Sequence, residues 1–208
     1  MLRQDGLRSL WFKVLGEICY RRLAIIEKMF DGEAPSGPPV EWELSKLSIS
    51  ELPAHRAYHP DAYLDDLRRR IEQGDCCFVI RRDGRIIHSC WIVKGTAWID
   101  YLDCKVLIAP DLGYAYEAFT APEFRGRGVA AARARLMEPD LAAEGFRGIV
   151  AALHTDNPEA LRFNLNAGYR VIGTIGFFRL GPWKRHFLRL DQTLRPAADP
   201  RSITLLPC

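Results

Sequence analysis

The clearest hydrophobic pattern in the chain runs from Cys76 to Val93. Two apolar segments, Cys76 to Arg81 and Ile86 to Val93, flank Arg82-Asp83-Gly84, where Asp-Gly supplies the positive φ of a tight hairpin turn. Upstream, Val40 to Leu47 alternates as a strand does. Ser50 to Arg56 and Asp61 to Glu72 carry helical spacing broken at His59-Pro60, with Ser50 as the expected N-cap. Downstream, Trp98 to Leu107 is expected to hold a strand, Pro110 to Gly113 a turn, and Tyr114 to Thr120 an alternating aromatic strand. Val129, Ala132 and Leu136 keep helical spacing, and Pro139 is expected to kink or end that helix near Met137. The apolar run Ile149 to Leu153 predicts a strand buried on both faces. Asn157 reads as an N-cap, Pro158 as the first helical residue and Gly168 as the closing glycine of a further helix. Tyr169 to Leu180 and Trp183 to Leu190 are strands joined at Gly181-Pro182. Strands outnumber helices around one strand-helix-strand crossover, which gives an α/β class with a mixed sheet.

At the amino end, Leu7, Trp11, Val14, Leu15 and Ile18 fall on one face of a helix whose other face carries Arg8, Lys13 and Glu17. Such a helix can lie on an anionic membrane, but packing on the protein's own core is the expectation. A short strand from Leu23 to Lys28 follows, and Asp31 to Pro39 has the composition of a linker. The pattern therefore divides the chain into an extension over 1–39, a main domain over 40–192 and a loose tail over 193–208. No internal repeat is visible.

Composition changes this picture little. The 208 residues are 48% apolar and 26% charged, with a formal charge of +3, as in a soluble globular protein. No basic run with interleaved aromatics argues for nucleic acid. The six cysteines form neither a CxxC pair nor a Cys/His cluster, so no metal and a reducing, cytoplasmic setting are expected. The arginines and lysines that break the apolar amino end argue against a signal peptide or a spanning helix.

The candidate chemistry lies between Tyr114 and Ala131. A strand, the turn Arg125-Gly126-Arg127-Gly128 and an alanine-rich helix make an anion cradle. The glycines let backbone come close to a bound group, and the free N–H groups of the helix start point outward with the positive end of its dipole. A nucleotide loop would end in Lys-Ser/Thr, which this turn lacks.

Arg125, Gly128 and Ala130, preceded by Pro122-Glu123, resemble the pyrophosphate motif of the GNAT superfamily of acyl-CoA-dependent N-acyltransferases. Asn157, Ala160, Gly168 and Tyr169 resemble the family's N-x-x-A motif closing on Gly-Phe or Gly-Tyr, and the resemblance covers about residues 40 to 190. It implies a mostly antiparallel central sheet flanked by helices, with acetyl-CoA or another acyl-CoA as co-substrate. The backbone of Arg127, Gly128, Val129, Ala130 and Ala131 would then hold the pyrophosphate beside Gly126, with the charge of Arg125 nearby. Phe119, Thr120 and Asn157 would border the pantetheine arm.

An acceptor amine is an ammonium at neutral pH and must lose a proton before it attacks. Glu117 is the candidate base, in the strand where aminoglycoside-modifying members carry theirs; its apolar neighbours predict partial desolvation, and a structural ion pair with an arginine is the competing reading. Asn164 stands where many members place a tyrosine that protonates the thiolate; an amide can hydrogen-bond a thiolate but not protonate it. His55, Tyr58, His59 and Trp183 border the acceptor region of the resembling fold, and His154 is an alternative base. Cys76, Cys77 and Cys90 read as apolar strand residues rather than acyl carriers. The resemblance implies an N-acyltransferase acting on a small-molecule amine, as a monomer or a homodimer. A protein N-acetyltransferase and a non-catalytic acyl-CoA sensor or partner-binding module are the alternatives.

Overall fold

A computed structural model of the chain describes residues 19–30, 42–191 and 202–207. The helix expected over Leu7 to Ile18 and the linker Asp31 to Pro39 lie outside the described residues. In chain order the elements are β1 (Tyr20–Met29), β2 (Glu43–Lys46), α1 (Leu52–Tyr58), α2 (Leu64–Glu72), β3 (Cys76–Arg82), β4 (Arg85–Lys94), β5 (Thr96–Ile99) and β6 (Cys104–Ile108). They continue with β7 (Leu112–Thr120), α3 (Val129–Ala143), β8 (Gly148–His154), α4 (Pro158–Asn166), β9 (Arg170–Leu180), β10 (Trp183–Leu190) and β11 (Ile203–Leu205).

Eight strands form one sheet in the order β10-β9-β1-β8-β7-β4-β3-β2, while β11-β6-β5 form a second, three-stranded sheet. In the large sheet only β7 and β8 run parallel, joined by the crossover through α3. The mixed, mostly antiparallel sheet is therefore as expected. Its two faces are covered differently. Ile26, Cys90, Ala115, Met137, Leu141 and Ile149 pack one face, under α3, with Leu161 of α4 against the same cluster. On the other face, Ile25, Tyr114 and Val150 meet Ile99, Val106 and Ile203 of the small sheet, while Trp91 and Val79 meet Leu52 and Leu67 of α1 and α2.

The hairpin of β3 and β4 turns at Asp83 and Gly84, both with positive φ (52° and 74°). Four expectations change. The strand assigned to the amino-terminal extension is longer and sits in the middle of the large sheet, paired with β8 on one side and β9 on the other. Leu23, Ala24, Ile25 and Ile26 are all buried, the continuous burial of a strand covered on both faces. Its Glu27 is 1% exposed and accepts from Arg170 at 2.9 Å and from the Ser202 hydroxyl. Second, the carboxyl-terminal segment is not all loose tail, because Ile203–Leu205 pairs with β6 and Ile203 is fully buried. Third, α3 runs through Pro139 to Ala143; Met137 and Leu141, fully buried on the same face, hold the turns on either side of it. Fourth, Ser48 rather than Ser50 caps the segment before α1, through a capping box with Glu51 over the turn Ile49–Glu51.

A chain begun at residue 40 would leave β8 and β9 without their shared neighbour. It is expected to lose the cooperative thermal transition followed by circular dichroism, whereas removal of a mere appendage would leave that transition in place.

Candidate active site

Pairing between β7 and β8 covers only Leu112 to Ala115 against Gly148 to Ala151. Beyond that point Tyr116, Phe119 and Thr120 pair only with β4, and Ala152 to His154 only with β1, so the two strands part. A bulge starts the departure. Ser89 faces Phe119 and Trp91 faces Tyr116, which sets Glu117 and Ala118 together against Cys90, and Glu117 has a φ of 45°. A bulge of this kind bends its strand and leaves one residue out of the ladder.

The opening leads to the glycine turn. Gly126 and Gly128 have φ values of 74° and 76°, and a Cβ built on either would meet nothing within 4 Å. The space in front of this backbone is open, and only Gly takes that φ without strain. Gly128 is the N-cap of α3, and Ala132 is the residue whose N–H returns to its carbonyl, at 3.0 Å. The N–H groups before it are free of intrahelical bonds. Val129 is buried against Ile80 and Ile87, which fixes the first turn to the sheet. This cradle suits a pyrophosphate: open backbone, free N–H groups, and Arg125 and Arg127 beside it. Arg125 also donates from Nε to the Thr120 carbonyl at 3.1 Å.

Phe119 turns toward α1. Its carbonyl accepts from the Tyr58 hydroxyl, and its ring stacks on His59 at 4.0 Å between centroids. Thr120 Oγ1 lies 2.8 Å from His88 Nδ1. Asn157 caps α4, accepting from the Ala160 N–H at 2.9 Å. Asn164 spends one amide N–H on its own helix, donating to the Ala160 carbonyl at 2.8 Å.

Glu117 is the main correction. Its left-handed φ takes the side chain out of the strand's alternation, and it is 47% exposed rather than desolvated. Arg70 of α2 holds both its oxygens, at 2.5 and 2.9 Å, and also pairs with Asp66 at 2.6 Å. This carboxylate lines a cavity of about 250 Å³ with His55, His59, Asp66, Arg70, Ser89 and Trp91. His55 is 1% exposed and neither ring nitrogen has a partner. Burial, aided by His59 and opposed by Glu117, pulls its pKa down to about 4. Burial, aided by Arg133, takes His88 down to about 3. The structure thus brings Glu117, His55, Tyr58 and His59 together on one side of β7 and the cradle to its end. Trp183 is 82% exposed and does not line the cavity, and His154 packs edge-on against Tyr101 at 4.3 Å. Burial pushes the Cys76 thiol up to about 11 and raises those of Cys77 and Cys90, consistent with unreactive strand residues. Among the described residues no group of three or more His, Cys, Asp or Glu side chains could hold a metal ion, and no helix is long and apolar enough to cross a membrane.

Arg70 and Arg133 escaped the sequence reading. Nothing local says that Arg70 reaches a strand 47 residues away. Arg133 did carry a signal, since it stands at the i+4 spacing between Val129 and Met137, in line with the buried face of α3.

The family model described as Acetyltransferase (GNAT) family matches residues 42–169. Among solved structures, a GNAT-family acetyltransferase from Novosphingobium aromaticivorans is 21% identical with a TM-score of 0.54, covering 76% of this chain and 63% of its own. The GCN5-related glucosamine N-acetyltransferase region of a fungal multi-domain GH3 β-N-acetylglucosaminidase is 16% identical with a TM-score of 0.56, covering 88% and 23%. A GNAT-family acetyltransferase from Colwellia psychrerythraea is 13% identical with a TM-score of 0.53, covering 78% and 58%. The chain spans less than two thirds of each of these, and the likeness is one of fold. No curated protein sequence matches it.

Both buried histidines have folded pKa values below the ordinary 6.5, so the unfolded chain binds more protons between the two values. Stability should fall as pH drops from 6.5 toward 4, each histidine contributing about 1.4 kcal/mol per pH unit. Urea unfolding across that range should show the slope, and His55→Phe should remove its share.

Proposed function

The chain belongs to the GNAT family of acetyltransferases, and we propose that it transfers an acetyl group from acetyl-CoA to the primary amine of a small molecule by direct attack. One observation carries this reading: β7 and β8 part beside the open start of α3, with an acid-bearing cavity on the far side of β7. Donor and acceptor can thereby meet at the bulge from opposite sides.

Bound acetyl-CoA supplies an activated acyl group as a thioester. The N–H groups of Arg127 to Ala131 hold its pyrophosphate, and Gly126 and Gly128 keep side chains out of the way. An N–H freed from the ladder at Glu117-Ala118 is the donor available to the acyl oxygen, where negative charge grows as the amine attacks; such donors contribute ~3 kcal/mol in comparable sites. Glu117 takes the proton from the acceptor amine, directly or through water. Arg70 fixes the orientation of its carboxylate through both oxygens, which leaves each oxygen's remaining lone pair for the amine proton.

A second reading draws on two of the same contacts. Glu117 is clamped by a guanidinium and Asn164 is tied to its own helix, which fits a module that binds acyl-CoA without turnover. Thiol release from acetyl-CoA across a panel of small amines, amino sugars and peptides separates the two: turnover with a small amine is expected, and binding without release with any acceptor favours the sensor. In the active system, Glu117→Gln should slow turnover by ~10² or more while leaving coenzyme A affinity intact. Gly128→Val should abolish coenzyme A binding in calorimetry, because a β-branched residue is strained at that φ.

A further inference from the structure

Among the described residues, Arg133 is a buried charge without an ion-pair partner. It is 6% exposed, and among the described residues the guanidinium meets the Cys90 thiol and the Tyr169 hydroxyl, with no partner for Nε. Glu138, on the same helix, is taken by Lys28. The nearby His88 is neutral and also has an unpartnered nitrogen, Nε2. Burying a guanidinium carries a desolvation cost, which the Cys90 and Tyr169 contacts offset here, whereas a methionine would fill this helix face without needing such contacts. Packing therefore gives no reason for the residue.

Its position gives one. Cys90 is the single residue opposite Glu117 and Ala118 at the bulge, and Tyr169 directly follows the glycine that closes α4. The charge thus lies under the place where β7 leaves β8. Acyl transfer there forms a C–N bond and breaks the C–S bond, whose electron pair goes to sulfur; the amine proton goes to Glu117. The amide of Asn164 cannot protonate that sulfur. Resting on the donor half of the reading above, we propose that Arg133 is a positioning residue whose fixed positive charge, acting across the Cys90 and Tyr169 layer, stabilises coenzyme A sulfur as the thiolate.

Binding of coenzyme A and of desulfo-coenzyme A, measured by calorimetry from pH 6 to 9, tests this without turnover. The protein groups facing the guanidinium do not titrate across that range: His88 is held near 3, Tyr169 near 12, and Cys90 is raised by burial. A difference between the wild type and Arg133→Met in the pH-dependent preference for the thiol ligand then reports the ligand's own sulfur, since His59 beside Phe119 is common to both. In the wild type the bound thiol should titrate about one pH unit lower than in Arg133→Met, a tenfold difference in thiolate preference, and Arg133→Lys should keep most of the effect. Arg133→Met should unfold at the same urea concentration as the wild type or a higher one. In thiol release, kcat should fall about tenfold with KM unchanged. An identical titration in Arg133→Met overturns the proposal, as does equal loss of both ligands in that variant, which would make Arg133 part of the cradle's architecture. Should Arg133→Met fail to fold, Arg133→Gln against Arg133→Lys makes the same comparison. Binding of neither ligand by the wild type would overturn the donor reading and this inference with it.

Discussion

The site depends on a short parallel pairing that stops. Four residues of β7 bond to four of β8, after which the left-handed Glu117 bends β7 away while β8 stays on β1. Two neighbouring strands that separate expose main-chain groups in the middle of the large sheet. That exposure is costly unless water or a ligand meets those groups, and it lies beside the open glycine cradle at the start of α3. Gly148 helps to anchor the joined end, since a Cβ there would come within 2.5 Å of the Lys28 carbonyl. The pairing keeps the strands in register up to the point of departure, and the bulge decides where that point falls.

Polar groups around the opening are balanced unevenly. On the α1 and α2 side, Arg70 gathers Glu117 and Asp66 into a half-exposed ion network, in which solvent screens much of the pairing energy. On the α3 side, Arg133 meets the Cys90 thiol and Tyr169 hydroxyl and has no ion pair among the described residues, and burial has driven His88 neutral. The acceptor side thus pairs its charges with one another near solvent, whereas Arg133 on the α3 side is a buried charge with no such partner among the described residues.

Local structure was legible in the sequence wherever its cause was local. The Asp83-Gly84 turn, the Asn157 cap and the Gly126 and Gly128 cradle each follow from a residue's own φ or hydrogen-bonding capacity. Long-range placement was not legible. The apolar run at Leu23 to Ile26 says "buried strand" but not "between β8 and β9", and the linker composition after it suggested separation instead. Ile203–Leu205 is too short to outweigh the proline-bearing residues before it. Pro139 shows tertiary burial overriding a local breaker. Glu117 was found as a residue but not in its setting, because apolar neighbours in the strand predicted partial desolvation and the bulge instead leaves the side chain 47% exposed, on Arg70.

The central position of β1 also sets an order in time. It is synthesised well before its neighbours, since Leu23 pairs with His154 and with Ile175. At ~5–20 residues per second, the roughly 125 residues between Met29 and His154 take on the order of 6 to 25 s to emerge. Through that interval a strand carrying Leu23, Ala24, Ile25 and Ile26 has no partner on either edge. High contact order of this kind slows folding and favours wrong edge pairing, and β1 stays open to such pairing until β8 arrives.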